Sequence, residues 1–415
     1  MKHIYTSVDI GSDTIKVVAC ELFNNKLNLL AASSVKSNGI KKGLITDVDQ
    51  AADSLKNALN EVEEMLGIKI KKVIASVPSY FADFIVVKGS INIDNEEHMV
   101  LSDDIINVLQ NAIEPRMVPN KEMVTILPID FKLDHNEFIV DPKGLIGDVL
   151  EARAIMVTTP RKNIYSVVSL IESIGVEIVD ISLNSIGDAY AFKSKETDQQ
   201  VGAIVNIGSE TTSVSLYNKG IIVKNTMIQM GGRNIDNDIA YIYKIDRVIA
   251  CKIKERFALA HKMYAQVNDT FEVMNNLGDM VKINQYEVSE VAMLRIEEIL
   301  TLAKKEISVL TNREIEYIIV TGGTSNMAHF GYIAEQVFGK GTVVGNIKLV
   351  GIRNNRYASA VGNIVYFINK LKLKGKEYTM LSKSDVEELS STRKNLINIS
   401  NESMLGKVFG YFFSE

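Results

Sequence analysis

Two short stretches, about half a chain apart, carry the same small polar loop. VDIGSDTIKV begins at Val8 and VNIGSETTSV begins at Val205. Each places a Gly-Ser-acid-Thr turn between two strand-like segments, and such a turn leaves backbone N–H groups and small hydroxyls without partners. Those donors suit phosphate oxygens, so two facing loops would hold a polyphosphate from both sides. Ordinary hairpin turns in a duplicated fold are the plainer interpretation.

A third glycine motif, VTGGTSNM at residues 320–327, follows a strand-like segment and precedes a helix start. Glycines at such a junction let a ribose or base approach the backbone, and a helix N-terminus favours anions. Asp9 comes just before the first turn, where a carboxylate can hold Mg²⁺ through water. The three motifs, in this order, predict a site for a nucleotide and its magnesium ion.

The composition argues against several other functions. The chain has 415 residues and a net charge of -5, which provides no overall attraction to nucleic acid. Cys20, Cys251 and five scattered histidines form no metal-ligand pattern, and so few cysteines favour a reducing compartment. The N-terminus does not resemble a secretory signal, and no stretch approaches the ~18 apolar residues of a membrane span. We therefore expect a cytoplasmic protein that binds no nucleic acid.

The elements that must position these loops repeat along the chain. Residues 3–36 are predicted to form three strands, residues 48–66 a helix with apolar residues at i+3 and i+4, and residues 71–78 a buried strand. After a polar break at 193–200, three strands, several helices and a strand at 316–323 follow in the same order. An internal repeat this long predicts two similar α/β domains that face each other.

Residues 80–160 interrupt the repeat and predict an inserted α+β subdomain, with a short helix that begins at Ser102. The predicted division of the chain is therefore 1–79 with 161–192 as the first core subdomain, 80–160 as the insertion, 193–230 with 312–373 as the second core subdomain, 231–311 as a small helical subdomain, 374–402 as a flexible linker and 403–415 as a terminal helix.

The terminal segment SMLGKVFGYFFSE predicts an amphipathic helix. Its apolar arc includes Met404, Leu405, Val408, Phe409, Phe412 and Phe413. Such a helix is too short to span a bilayer and apolar enough to lie in its interface. A helix packed on the body of the protein is the alternative. The long polar segment before it favours a tethered membrane anchor.

On these motifs the chain resembles the actin-like ATPase superfamily. VDIGSDTIKV resembles its first phosphate loop, VNIGSETTSV its second and VTGGTSNM its adenosine motif, while residues 180–192 and 356–363 resemble its two connecting helices. GIKKGLITDVD at 39–49 and DPKGLIGDVLEARAIMVTT at 141–159 resemble the FtsA family of bacterial cell-division proteins. The resemblance implies a duplicated actin-like α/β fold, in which two halves face each other across a nucleotide cleft, with an FtsA-type inserted subdomain.

The resemblance also implies which residues bind ATP and its partners. Asp9 would hold Mg²⁺, and Arg295 matches an arginine that contacts the C-terminal peptide of the filament protein FtsZ. The implied nucleotide-binding residues are Gly11, Ser12, Asp13, Thr14 and Lys16 of the first loop, Gly208, Ser209, Glu210, Thr211 and Thr212 of the second, the pair Gly231 and Gly232, Lys254 beside the nucleoside, and Gly322 and Gly323 of the adenosine motif.

Three departures from the superfamily pattern concern the chemistry. The second loop usually begins D-I-G-G-G-T, and here it reads N-I-G-S-E-T, so Asn206 cannot act as an anionic partner of Mg²⁺. Glu210 adds a negative charge near the phosphates that Mg²⁺ or Lys16 would have to offset. Cys251 stands where relatives carry a glutamate for the nucleoside. We expect ATP binding with weak or absent hydrolysis.

The function implied by the resemblance is a cell-division scaffold. Such a protein polymerises on the inner face of the cytoplasmic membrane, anchors FtsZ filaments at the septum and recruits later division proteins. Two alternatives share the fold: a soluble ATPase or sugar kinase, and a pilus-assembly relative that carries a similar insertion. Fold alone does not choose among them, because one fold hosts many functions.

Overall fold

The computed structural model describes residues 3–113, 120–134, 138–382 and 384–385. The predicted terminal helix at 403–415, and with it Met404, Leu405, Val408, Phe409, Phe412 and Phe413, lies outside the described residues, as does most of the predicted linker. Within the described ranges, no helix has both the length and the apolar character needed to cross a bilayer.

The first half of the molecule is built on a five-stranded mixed sheet. Its strands are β1 (His3–Ile10), β2 (Thr14–Phe23), β3 (Lys26–Lys36), β6 (Lys72–Val77) and β10 (Glu177–Leu183), in the order β10-β6-β1-β2-β3. The first three strands form antiparallel hairpins, and β6 and β10 continue the sheet in parallel. A small hairpin of β4 (Ile40–Lys41) and β5 (Leu44–Ile45) follows β3, and helices α1 (Val48–Leu66) and α3 (Arg161–Ser173) complete this half.

Helix α1 forms where the apolar periodicity predicts it, and both of its ends are capped. The Asp47 side chain accepts a hydrogen bond from Gln50 N at 3.1 Å at the N-terminus. Gly67 ends the helix in the left-handed conformation, with φ of 74°, and its N–H bonds to Glu63 O at 2.7 Å. The apolar face between these caps is buried in the core of the first half.

The second half repeats the first sheet in strand order and direction. Its strands are β11 (Val201–Ile207), β12 (Thr212–Asn218), β13 (Ile221–Ile228), β16 (Tyr317–Thr321) and β17 (Thr342–Val344), in the order β13-β12-β11-β16-β17. Again the first three strands pair antiparallel and the last two pair parallel. The duplicated α/β fold predicted from the repeated loop is therefore confirmed.

Helices and a hairpin extend the second half. They are α5 (Gly232–Tyr243), α6 (Arg247–Arg256), the hairpin β14 (Thr270–Met274) and β15 (Met280–Asn284), α7 (Gln285–Leu310) and α8 (Phe330–Phe338). Helix α7 is capped by the Asn284 side chain, which accepts from Glu287 N at 2.8 Å. Its buried face joins α5, α6 and the second sheet in one core.

The insertion is a separate three-stranded antiparallel sheet with a helix on one face. It comprises β7 (Asp83–Asn92), α2 (Ser102–Ile113), β8 (Lys121–Leu133) and β9 (Val149–Pro160), and β9 lies between the other two strands. Its apolar residues form their own buried cluster, which includes Val87, Val108 and Leu150. The predicted inserted α+β subdomain is thus present as a structural unit.

Two helices connect the halves. They are α4 (Asn184–Ala191), which follows β10, and α9 (Ala358–Leu373) near the end of the described chain. The helices cross at Gly187 and Gly362, where the backbones are in direct contact.

The segment after α9 returns to the first half. Met380 N donates to Ile4 O at 3.0 Å, and Ile4 N donates to the Thr379 hydroxyl at 3.2 Å. The side chains of Met380 and Leu381 are buried in the core of this half. These residues belong to the predicted linker, so its first part is anchored beside β1.

Candidate nucleotide-binding site

The two matched loops have the same backbone hydrogen bond. Gly11 N donates to Thr14 O at 3.2 Å in the turn between β1 and β2, and Gly208 N donates to Thr211 O at 3.0 Å between β11 and β12. Both loops face one cavity of about 470 Å³ between the halves of the molecule. This volume lies within the ~300–1,000 Å³ range of small-molecule sites.

Most of the predicted nucleotide-binding residues line this cavity. They are Gly11, Ser12, Asp13, Thr14, Lys16, Gly208, Ser209, Glu210, Thr211, Gly232, Lys254, Gly322 and Gly323. Thr212 and Gly231 do not line it. The Thr212 side chain is buried and donates to Met230 O at 2.8 Å, while Gly231 packs behind the second loop.

The predicted metal residue Asp9 is buried at the base of the cavity. Its Oδ2 lies 3.0 Å from Lys16 Nζ, and its Oδ1 accepts from Asn184 Nδ2 at 3.4 Å. In the described part of the chain, no group of three or more Asp, Glu, His or Cys residues is arranged to hold a metal. A single carboxylate beside a phosphate site still fits Mg²⁺, which keeps several waters and binds through one or two carboxylates and the phosphates.

The charge of Glu210 is offset by a residue that the sequence did not single out. Glu210 forms an ion pair with Arg233 on α5, and it also accepts a hydrogen bond from the backbone N–H of Lys42 in the other half. The Nη2 atom of Arg233 lies 3.8 Å from Oδ1 of Asp13 in the first loop. Lys16, which together with Mg²⁺ was one of two candidates to offset Glu210, is instead paired with Asp9. One arginine therefore lies between the carboxylates of the two phosphate loops.

The start of α5 is bound to the second loop. Gly232 N donates to Gly208 O at 2.9 Å, and Arg233 N donates to Ser209 O at 2.7 Å. A Cβ at Gly231 would lie 2.6 Å from Gly208 O, so a larger residue would separate the loop from the helix. These contacts hold the loop against α5.

Lys254, predicted to lie beside the nucleoside, lines the cavity and is 8% exposed. Its Nζ is 2.7 Å from Asp236 Oδ1 and donates to Gly232 O at 3.2 Å. Burial raises the pKa of Asp236, and the positive charge of Lys254 opposes that rise. Burial also raises the pKa of Cys251, which makes that thiol a poor nucleophile.

The adenosine motif requires glycine at Gly322 for two reasons. Its φ is 92°, and a Cβ there would lie 2.4 Å from Asn206 Oδ1. Gly323 differs, because a Cβ at that position would meet no protein atom within 4 Å. The Gly323 side of the motif therefore faces open space in the cavity.

Two family models match the sequence of the chain. The model "Cell division protein FtsA" matches residues 203–362, and "SHS2 domain inserted in FTSA" matches residues 83–158. Together they cover more than half of the 415 residues.

The chain belongs to the FtsA family of cell-division proteins.

Curated relatives extend the FtsA match over most of the chain. The FtsA protein of Bacillus subtilis (strain 168) is 26% identical over 378 residues, which cover 90% of this chain and 86% of the relative. The FtsA protein of Streptococcus pneumoniae is 28% identical over 361 residues, which cover 86% of this chain and 78% of the relative. The family resemblance seen in the motifs is confirmed.

Solved structures with the same architecture include a PilM–PilN type IV pilus biogenesis complex and MreB5 of Spiroplasma citri bound to ADP. The first has a TM-score of 0.58 and 14% identity, and covers 87% of this chain and 98% of that chain. The second has a TM-score of 0.54 and 14% identity, and covers 90% of this chain and 98% of that chain. At such identities these likenesses establish the actin-like fold alone.

Several cavity residues were not identified in the sequence. They include Asn184, Asp236, Arg256, Asn354, Asn355 and Arg356. Some lie next to recognised motifs: Arg256 is two residues after Lys254, and Arg356 begins the RYASAVGN segment. Closeness to a recognised motif was the signal that could have identified these cavity residues in the sequence. Asn184 lies in the segment 180–192 that resembles a connecting helix, whereas Asp236 has no such marker, because its place in the cavity follows from the packing of α5.

Arg295, the predicted contact for FtsZ, lies on α7 and does not line the cavity. Its guanidinium forms a bidentate ion pair with Asp238, with Nε–Oδ2 at 2.6 Å and Nη2–Oδ1 at 2.9 Å. Glu298 accepts a third bond from it at 2.5 Å. An acidic peptide would have to share or replace these carboxylates.

Proposed function

We propose that this FtsA-family chain is an ATP-binding scaffold of cell division. It polymerises on the inner face of the cytoplasmic membrane, anchors FtsZ filaments at the septum through their C-terminal peptide and recruits later division proteins. The observation that carries this proposal is the match of an FtsA-specific model to the inserted subdomain at 83–158. The insertion is what sets this chain apart from a minimal actin-like ATPase.

The cleft geometry supports nucleotide binding between the halves. Ser12 and Thr14 on one side and Ser209 and Thr211 on the other line the same cavity. Lys16 lies beside the first loop, where a Cβ on Gly11 would be 2.8 Å from its Nζ. These groups bind phosphates and thereby draw the halves together, while Mg²⁺ held near Asp9 neutralises phosphate charge.

Two features favour weak or absent hydrolysis. Asn206 provides a neutral amide where the superfamily pattern has a carboxylate. Glu210 is engaged by Arg233 and the Lys42 N–H, so its carboxylate already has partners other than a water molecule. A nucleotide that stays intact would act as a lasting bridge between the halves, which suits a scaffold.

The predicted terminal helix is the feature that distinguishes a membrane scaffold from a soluble ATPase. Burying its phenylalanines would contribute ~1.5–3 kcal/mol for each side chain. That produces reversible binding for one chain, and polymerisation would multiply the anchors into firm attachment.

The test is co-pelleting with anionic liposomes in the presence of Mg-ATP, using the full chain. The variant F409E/F412E adds two charges inside the apolar arc. The matched control S403E/S414E adds the same charges at polar positions of the same segment. We expect wild type and control to pellet and F409E/F412E to remain in solution, as should a 1–402 truncation. If none of the four proteins pellets, the proposed membrane role fails and a soluble ATPase is favoured. If all four pellet equally, attachment does not go through the terminal helix, and the proposed anchor is wrong.

A further inference from the structure

A buried carboxylate joins the second phosphate loop to both connecting helices. Asp188 on α4 is 1% exposed. Its Oδ2 accepts from Asn206 Nδ2 at 2.7 Å, and its Oδ1 accepts from the Ser359 hydroxyl at 2.7 Å. Asn206 is the last residue but one of β11, next to the second loop, and Ser359 is the second residue of α9. Three elements that meet between the halves therefore share one carboxylate.

The Asn206 amide connects this carboxylate to the nucleotide cavity. Asn206 lines the cavity, whereas Asp188 does not. The Asn206 Nδ2 donates to Asp188, and the Oδ1 of Asn206 lies against Gly322 of the adenosine motif. The orientation of the amide is thus determined by Asp188 on one side and limited by Gly322 on the other.

The pair also explains why the usual aspartate would not suit this loop. With aspartate at position 206, two carboxylate oxygens would face each other where Asn206 and Asp188 are now 2.7 Å apart. Two carboxylates at such a distance cannot both be ionised in a buried site, so one must take up a proton. Here one residue of the pair is the acid and the other donates the hydrogen bond, so this conflict does not arise.

We propose that Asp188 is a positioning residue of the nucleotide site, which holds the Asn206 amide in one orientation and couples the second phosphate loop to the connecting helices. The inference rests on the proposed binding of ATP in the cleft. Asp188 touches no nucleotide, and it acts only through Asn206. The acid of this pair lies behind the cavity wall, and the amide lines the cavity.

Four variants of the full chain test this inference. N206D brings the two carboxylates together. D188N/N206D exchanges the acid and the amide, so that one donor and one acceptor face each other again. D188A removes both acceptors, and D180A is its matched control. Asp180 is also a largely buried acid, ion-paired with Lys370 at 2.6 Å, but it does not line the cavity or contact Asn206.

The measurements are Mg-ATP affinity and, without nucleotide, the thermal midpoint of unfolding. At pH 8 we expect N206D and D188A to bind Mg-ATP at least fivefold more weakly, while D180A and D188N/N206D stay within threefold of wild type. N206D should recover affinity at pH 6, because one carboxyl is then protonated. The inference would be overturned if D188A bound Mg-ATP as tightly as D180A does. It would also be overturned if D188N/N206D bound Mg-ATP as weakly as N206D does.

The thermal midpoints separate this inference from the proposed function. If wild type binds no ATP, the proposed function fails. The midpoints of nucleotide-free N206D and D188N/N206D still report on the pair. Recovery of the midpoint in the exchange variant supports the Asp188–Asn206 link, and its absence overturns that link.

Discussion

Gly187 of α4 and Gly362 of α9 cross with no side chain between them. A Cβ built on Gly362 would lie 1.7 Å from the carbonyl oxygen of Gly187, and a Cβ on Gly187 would lie 2.4 Å from Ser359 O. The two helices that connect the halves therefore touch backbone to backbone. A side chain at either glycine would force the two helices apart.

Gly362→Ala should push these helices apart. Overpacking in a core costs ~1–3 kcal/mol and sometimes more, and this contact is with backbone that cannot rotate away. We expect a loss of at least ~3 kcal/mol in the free energy of unfolding, measured by denaturant titration. Gly331→Ala is the matched control, because its Cβ would meet only Val344 Cγ2 at 3.8 Å. Equal stability of the two variants would show that the helices separate easily.

Gly323→Ala should affect the ligand and spare the fold. Its Cβ would meet no protein atom within 4 Å, yet the residue lines the cavity. We expect an unchanged thermal midpoint and a loss of ATP affinity on the order of tenfold, which is ~1.4 kcal/mol. Calorimetric titration with ATP measures it. Unchanged affinity would place the nucleoside elsewhere in the cleft.

Removing Arg233 should expose the phosphates to the charge of Glu210. We expect R233A to weaken ATP binding by roughly tenfold, since an uncompensated carboxylate repels the polyphosphate. The double variant R233A/E210Q should recover most of the loss, because the carboxylate is neutralised. Adenosine serves as the control ligand, because it carries no phosphate. A similar loss for adenosine and ATP would point to damage of the pocket instead of a charge effect.

To bind the FtsZ peptide, Arg295 would have to exchange its internal partners Asp238 and Glu298 for groups of the peptide. We expect R295A to weaken binding of the FtsZ C-terminal peptide by at least ~10-fold, as for an interface arginine anchor. D238N should strengthen it severalfold, because it removes an internal competitor. Fluorescence anisotropy with a labelled peptide measures both. R247A, at an exposed arginine on α6, is the control. No change in R295A would exclude this residue from the interface.

Stability should depend on pH through Asp188. Burial raises the pKa of Asp188 to about 7, against hydrogen bonds from Asn206 and Ser359 that lower it; Asp9 raises it further, and Lys16 opposes the rise. An acid whose folded pKa lies above its unfolded value of 3.8 stabilises the fold below that value and loses this contribution as pH rises towards 7.

Relative to D188N, wild type should therefore lose about 1.4 kcal/mol between pH 6 and pH 8. Urea titrations of both proteins at the two pH values measure this difference. A difference that stays constant with pH would mean that Asp188 is ionised throughout, with its charge stabilised by Asn206 and Ser359 alone.

The local features of the fold were predictable, because local chemistry encodes them. The doubled Gly-Ser-acid-Thr turn predicted two sheets of one topology, and both appear with the same strand order. The apolar periodicity of residues 48–66 marked α1, and the loss of the repeat after residue 79 marked the insertion. Each of these signals depends on residues within one turn, strand or helix.

The pairing of charges was not predictable, because it depends on which elements meet in space. The sequence suggested Mg²⁺ or Lys16 as the group that offsets Glu210. In the structure Lys16 pairs with Asp9 on the neighbouring strand, and Arg233 pairs with Glu210. Asn206 alone suggested a lost carboxylate, and packing α4 against β11 brought Asp188 to it across 18 positions of sequence. Burial of Asp188 then removes water from its carboxyl group and raises its pKa. The extent of that burial is not encoded in any single stretch of sequence. Motifs thus identified the type of ligand, whereas packing assigned each charge its partner.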